Sequence, residues 1–171
     1  CTEHYLSLLR ESDDALKELV TYFKNVDEPT IIVFFGDHKP FVDTNFYSTL
    51  LGADLSSISA SESLPLYETP YLIWANYDIG TGDKGITSPN FLGQTVLDLS
   101  GISSPTDRDC LKVLQTKIAA ISAAAVFGKD QTATTNDSLL SDDIRKNIED
   151  YEFIQYGKLF LDGKTDESSS G

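Results

Sequence analysis

The sequence predicts an α/β fold. An amphipathic helical pattern over residues 3–24 runs into the apolar, β-branched stretch Thr30-Ile31-Ile32-Val33-Phe34-Phe35, and strand-like and helix-like segments alternate after it. The unbroken hydrophobicity of 30–35 is that of a strand covered on both faces, as in a parallel sheet between helix layers. Only residues 69–76 make an equally convincing second strand. A doubly wound domain needs more, so the chain is expected to be the C-terminal part of a larger sheet.

The elements follow in order. Tyr5, Leu8, Leu9, Leu16, Leu19, Val20 and Phe23 recur at steps of three and four and line one face of the first helix. Residues 25–29 stop it, because Pro29 has no N–H with which to continue. The strand over 30–35 ends sharply at Gly36-Asp37-His38-Lys39-Pro40, where Gly36 is expected to let the backbone turn. Residues 41–66 are mixed and polar, with a short helical turn at 46–51. Pro70 stands at the start of the second strand, where a missing N–H is tolerable, and Tyr71 and Trp74 are expected in the core. Asn76 and Asp78 are expected to form turns. The three glycines within 78–85 lack phosphate-loop spacing and predict a plain loop.

Ser88-Pro89 has the cap-then-proline order of a helix start, with the end near Gly101. Ser104-Pro105 repeats that order, with Asp107 in the first turn. It predicts a helix from 105 to about 124 carrying Leu111, Leu114, Ile118 and Ile121. Residues 128–138 are expected as an exposed polar loop, 141–151 as a short helix, and 153–160 as a closing strand. The polar, Ser-rich end predicts a disordered tail over 164–171, leaving 1–163 as one portion of a folded domain.

The 171 residues amount to about one domain. Hydrophobic residues make up 40% and aromatics 11%, enough to fill a core and too many for wholesale disorder. Lys and Arg number 13 against 27 Asp and Glu, a net charge of −14. Such a surface repels a phosphate backbone and anionic lipid heads, which argues against a nucleic-acid partner or a basic membrane patch. Cys1 and Cys110 are too few for a disulfide framework or a thiolate zinc site. Cys1 leads straight into a helical pattern without a polar tether, which argues against a lipid-anchored start. No apolar run approaches the ~20 residues of a membrane span, and no signal-peptide pattern is visible.

Asp37 and His38 are the chemically informative pair. They stand at the carboxyl end of the most apolar strand, the edge at which open α/β sheets bind ligands. A carboxylate beside an imidazole supplies half of a metal site. The competing reading makes Asp37 a turn cap and His38 a surface residue; the position after the strand brings the two level. Lys39 is expected to be a solvated loop lysine, and His4 a solvated helix residue without a role. Ser61-Glu62-Ser63 has no base partner, and nothing activates Thr132, Thr134 or Thr135.

The helix Tyr5-Leu6-Ser7-Leu8-Leu9-Arg10 leads to Glu28-Pro29-Thr30-Ile31-Ile32-Val33-Phe34-Phe35-Gly36-Asp37-His38-Lys39-Pro40, and then to Tyr67-Glu68-Thr69-Pro70-Tyr71-Leu72-Ile73-Trp74-Ala75-Asn76-Tyr77. This order resembles the C-terminal half of the lipoteichoic acid synthase-like branch of the sulfatase and alkaline phosphatase superfamily, an α/β/α sandwich. The segment Asp150-Tyr151-Glu152-Phe153-Ile154-Gln155-Tyr156-Gly157-Lys158-Leu159-Phe160 is similar to the way many such chains end, so the resemblance covers nearly the whole sequence.

The resemblance implies a membrane-anchored bacterial enzyme whose catalytic domain faces outward. It would move phosphoglycerol, or a related phospho-alcohol, from a phospholipid to a glycan or lipid acceptor. Asp37 and His38 match the pair that holds a manganese, magnesium or zinc ion; an acidic residue and a threonine nucleophile from the N-terminal half complete the site. A dication would neutralise phosphate charge and lower the pKa of the threonine hydroxyl. No catalytic residue is therefore expected in this chain, and the chain alone is expected to be inactive without that N-terminal half. Lys39 stands where the family varies. The same half-site would serve a sulfatase or phosphodiesterase that hydrolyses instead of transferring, and a non-catalytic binding domain with a remnant of the fold is a further alternative.

Overall fold

The computed structural model describes residues 2–103 and 109–160. The chain forms two compact units, Cys1–Gly82 and Asp83–Gly171. Helix and sheet are mixed in the order expected of an α/β chain.

The first unit opens with helix α1, Thr2–Phe23, close to the predicted span. None of its described residues is buried, and Leu6, Leu8, Leu9 and Leu19 all remain exposed. Strand β1, Ile31–Phe35, follows the break at Pro29. Helix α2, Thr44–Leu51, is longer than the predicted turn. Asp43 caps it by accepting the Asn45 N–H at 2.8 Å, and Gly52, at φ 65°, closes it in the left-handed conformation. A 3₁₀ turn, Leu64–Tyr67, precedes strand β2, Tyr71–Ala75.

Strands β1 and β2 pair antiparallel, from Ile31 opposite Ala75 to Phe35 opposite Tyr71. This corrects the expectation of a parallel sheet. The excursion through α2 and the 3₁₀ turn brings the chain back to the end of β1 that it left, so it re-enters in the opposite direction. The apolar run also fails to be covered on both faces: Phe34 is 42% exposed, Phe35 48% and Leu72 41%. Tyr71 and Trp74 are half-buried rather than enclosed. Asp78 accepts the Gly80 N–H at 2.9 Å, the turn expected there.

The second unit holds the larger core. Phe91, Leu111, Leu114, Ile118 and Val126 form its centre, with Cys110, Ile121, Leu140, Ile144, Ile148 and Tyr151 packed around them. Helix α3, Pro89–Ser100, begins and ends as predicted, with Gly101 left-handed at φ 69°. Ser88 does not cap it through its side chain; the buried Ser88 Oγ instead accepts the Ile121 N–H at 3.1 Å. The predicted helix start at Ser104-Pro105 and Asp107 lies outside the described residues, as do Cys1 and the tail.

Helix α4, Asp109–Lys117, stops before the predicted end near 124. Ile118–Ile121 is instead strand β3, paired antiparallel with β4, Val126–Gly128, which pairs in turn with β5, Ala133–Thr134. Ile118, Ala119 and Ala120 are all buried, so burial on both sides and the turn from Ser122 to Ala125 override the helix propensity of alanine. The loop expected at 128–138 thus contains β5 and a 3₁₀ turn, Asp137–Leu139. The closing strand expected at 153–160 is also corrected. Helix α5 runs unbroken over Asp142–Phe160, because Ile144, Ile148 and Tyr151 set a helical stripe against the core. Cys110 carries a free thiol, which burial pushes to a higher pKa.

Candidate functional site

Asp37 and His38 lie just beyond β1, where the chain leaves the ribbon and where β2 enters it. Both are exposed, with side-chain exposures of 82% and 77%. Their donor atoms converge: Asp37 Oδ2 and His38 Nε2 are 3.7 Å apart. The other carboxylate oxygen, Asp37 Oδ1, accepts the His38 N–H at 2.9 Å, which fixes the carboxylate against the backbone.

His38 Nδ1 lies 2.8 Å from the Lys39 carbonyl. A carbonyl only accepts, so this contact requires the proton on Nδ1. The other ring nitrogen, Nε2, is the one that faces Asp37 Oδ2. A carboxylate oxygen and the imidazole nitrogen of a neutral ring at this separation would fit two adjacent positions around one small cation. Among the described residues no group of three or more His, Cys, Asp or Glu side chains comes together in a metal-binding cluster. The pair is two donors of a set, not a whole one.

The backbone on either side of the pair is anchored. Thr69 Oγ1 donates to the Gly36 carbonyl at 2.8 Å, and the Gly36 N–H donates to the Pro70 carbonyl at 3.1 Å. A Cβ on Gly36 would stand 2.9 Å from Thr69 Cβ. Glycine is needed here for that close approach; Gly36 is not among the glycines with positive φ, which corrects the turn-making role expected of it. On the other side, the buried Tyr47 donates its hydroxyl to the Pro40 carbonyl at 2.5 Å. Lys39 is not simply solvated: its ammonium sits 5.1 Å from the Tyr47 ring centre and 5.4 Å from that of Tyr67.

The sequence does not mark Tyr47, Tyr67 and Thr69 as parts of this site, since each reaches it by a tertiary contact that spacing does not encode. Of the other residues considered, His4 is exposed on α1, as expected. Glu62 accepts the Ser59 hydroxyl and N–H, both at 2.7 Å, and Thr132 donates to Asp130 at 2.6 Å. These are closed local turns rather than nucleophile–base pairs. No helix among the described residues is long and apolar enough to cross a membrane.

No solved structure matches the chain. A curated relative from Rhizobium meliloti (strain 1021), described as a putative cyclic β-1,2-glucan modification protein, is 28% identical over 162 residues. That alignment covers 91% of this chain and 25% of the relative, so the chain spans about a quarter of that protein's length. The capsular polysaccharide biosynthesis protein RkpI of the same organism is 45% identical over 38 residues, 22% of this chain and 7% of that one. Residues 2–102, more than half of the chain and inclusive of β1, the Asp37-His38 pair and β2, match the Sulfatase family model. The chain belongs to the Sulfatase family.

Proposed function

We propose that the chain contributes Asp37 and His38 as metal ligands to a transferase that moves phosphoglycerol, or a related phospho-alcohol, from a phospholipid to a glycan. The observation that carries this reading is the convergence of Asp37 Oδ2 and His38 Nε2 at the end of β1 in a Sulfatase-family chain. Family membership supports an enzyme of the alkaline phosphatase superfamily. The two relatives are described by glucan modification and capsular polysaccharide synthesis, which supports a glycan acceptor. One carboxylate oxygen with one imidazole nitrogen suits manganese or zinc better than magnesium, which favours oxygen alone. A bound dication would supply charge neutralisation at the phosphoryl group and an acidified hydroxyl nucleophile.

The chain's own part is to present two donors in fixed orientation. The Asp37 carboxylate is held through Oδ1, and the imidazole of His38 through Nδ1. Two donors do not complete a four-coordinate set. The remaining ligands and the threonine nucleophile belong to the rest of the domain, on the outer face of a membrane-anchored bacterial protein.

The test is an assay of the intact protein with manganese, phosphatidylglycerol labelled in its headgroup and a soluble β-1,2-glucan. Phosphoglycerol on the glucan, lost in His38→Ala, is the expected result. Labelled glycerol phosphate released without glucan product would make the enzyme a hydrolase. No turnover under either condition would leave a non-catalytic domain.

A further inference from the structure

Asp37 and His38 are slung between two anchors that come from elsewhere in the unit. Before them, Thr69 Oγ1 holds the Gly36 carbonyl at 2.8 Å. After them, Tyr47 holds the next segment twice: its hydroxyl donates to the Pro40 carbonyl at 2.5 Å, and its ring lies 5.1 Å from the Lys39 ammonium. Tyr67 adds a second ring 5.4 Å from that ammonium. The Lys39 carbonyl, between these attachments, is the acceptor for His38 Nδ1. Tyr47 is buried to 9% exposure whereas the pair it serves is open to solvent. Tyr47 thus bonds to the backbone next to the carbonyl that His38 Nδ1 contacts.

We propose that Tyr47 is a positioning residue for His38, holding the Lys39–Pro40 backbone so that the Lys39 carbonyl keeps His38 Nδ1 protonated and aims Nε2 at the Asp37 carboxylate. This rests on the metal-ligand reading for its purpose but not for its geometry. Partners that orient a ligating histidine from behind typically set metal affinity by 10–100-fold. The ring and the hydroxyl of Tyr47 have separable jobs. Tyr47→Phe keeps the ring under Lys39 and removes the bond to Pro40; Lys39→Met keeps the length of the side chain and removes the cation from both rings.

Two readouts on the intact protein test it. With ¹⁵N-labelled histidine at alkaline pH, His38 is expected as the Nδ1–H tautomer, with His38→Ala giving the assignment. Tyr47→Phe should shift it toward the Nε2–H form that free imidazole prefers. In manganese titrations Tyr47→Phe should weaken binding by about tenfold, with a smaller loss in Lys39→Met. Tyr22→Phe, on the exposed face of α1, should change neither readout. An unaltered His38 tautomer in a folded Tyr47→Phe protein would overturn the proposal. Unaltered manganese affinity in Tyr47→Phe, beside loss in His38→Ala, would also overturn it while sparing the metal-ligand reading. Full manganese binding in His38→Ala would instead overturn the metal-ligand reading, and the tautomer shift alone would then decide the role of Tyr47.

Discussion

Asn76 Oδ1 accepts the Thr30 N–H at 2.8 Å, across 46 residues of chain. The same amide donates through Nδ2 to the carbonyls of Phe23, Val26 and Glu28, at 3.3, 2.9 and 2.9 Å. One side chain therefore ties the end of α1, the turn before Pro29 and the entry of β1 to the first residue after β2. It adds to the bonds that the Phe23 carbonyl accepts from the Val26 N–H and the Glu28 carbonyl from the Thr30 hydroxyl. The expected turn-forming role of Asn76 understates this.

Asn76→Ala should accordingly destabilise the protein by about 1–3 kcal/mol, the usual cost of leaving part-buried polar groups unpaired. Asn76→Asp should be at least as harmful, since a carboxylate cannot donate to three carbonyls. Thermal melts of the intact protein, with amide exchange at Thr30 as the local reporter, check both.

Gly36→Ala should cost about 1–3 kcal/mol, as overpacking commonly does, because its Cβ would meet Thr69 Cβ at 2.9 Å. Pairing it with Thr69→Gly should recover part of that loss, so the two changes should couple rather than add. Denaturant titrations of the single and double variants measure the coupling.

Gly157 lies within α5, and a Cβ there would meet nothing within 4 Å. Gly157→Ala should therefore stabilise by roughly 0.5–1 kcal/mol and raise helicity. A fall in helicity by circular dichroism would restore the closing strand that the sequence suggested for 153–160.

Three exposed turns should be acid-labile. The Ser59 hydroxyl, then its N–H, hold the Glu62 carboxyl below its usual range; the Thr132 hydroxyl, then its N–H, do so for Asp130; the Ser56 N–H, then its hydroxyl, for Asp54. A depressed carboxyl contributes stability above its unfolded pKa and loses it as pH falls through the folded one. Amide exchange at Ser56, Ser59 and Thr132 should therefore be steadily protected near neutrality and lose that protection only below the ordinary carboxylate range.

Local signals made much of this legible. The three-and-four spacing gave α1, Ser88-Pro89 and Gly101 bounded α3, and the β-branched run after Pro29 placed β1 and hence Asp37 and His38. What stayed hidden depends on distant partners. The antiparallel pairing of Phe35 with Tyr71 follows from how residues 36–70 return, which hydrophobicity does not encode. Ile118-Ala119-Ala120-Ile121 suits helix or strand until Val126 and Phe127 are beside it. Thr69, Tyr47 and Tyr67 reach the site through contacts 7–33 residues away in sequence, which neither the mixed composition around Tyr47 nor the strand pattern at Thr69 encodes.

The central claim is that Asp37 and His38 bind a divalent cation. Calorimetric titration of manganese and zinc into the intact protein, beside the Asp37→Ala/His38→Ala variant, tests it most directly. Binding of one ion by the wild type and its loss in a folded double variant is the predicted result. Equal binding by both proteins would contradict the account and return the pair to the role of an exposed turn.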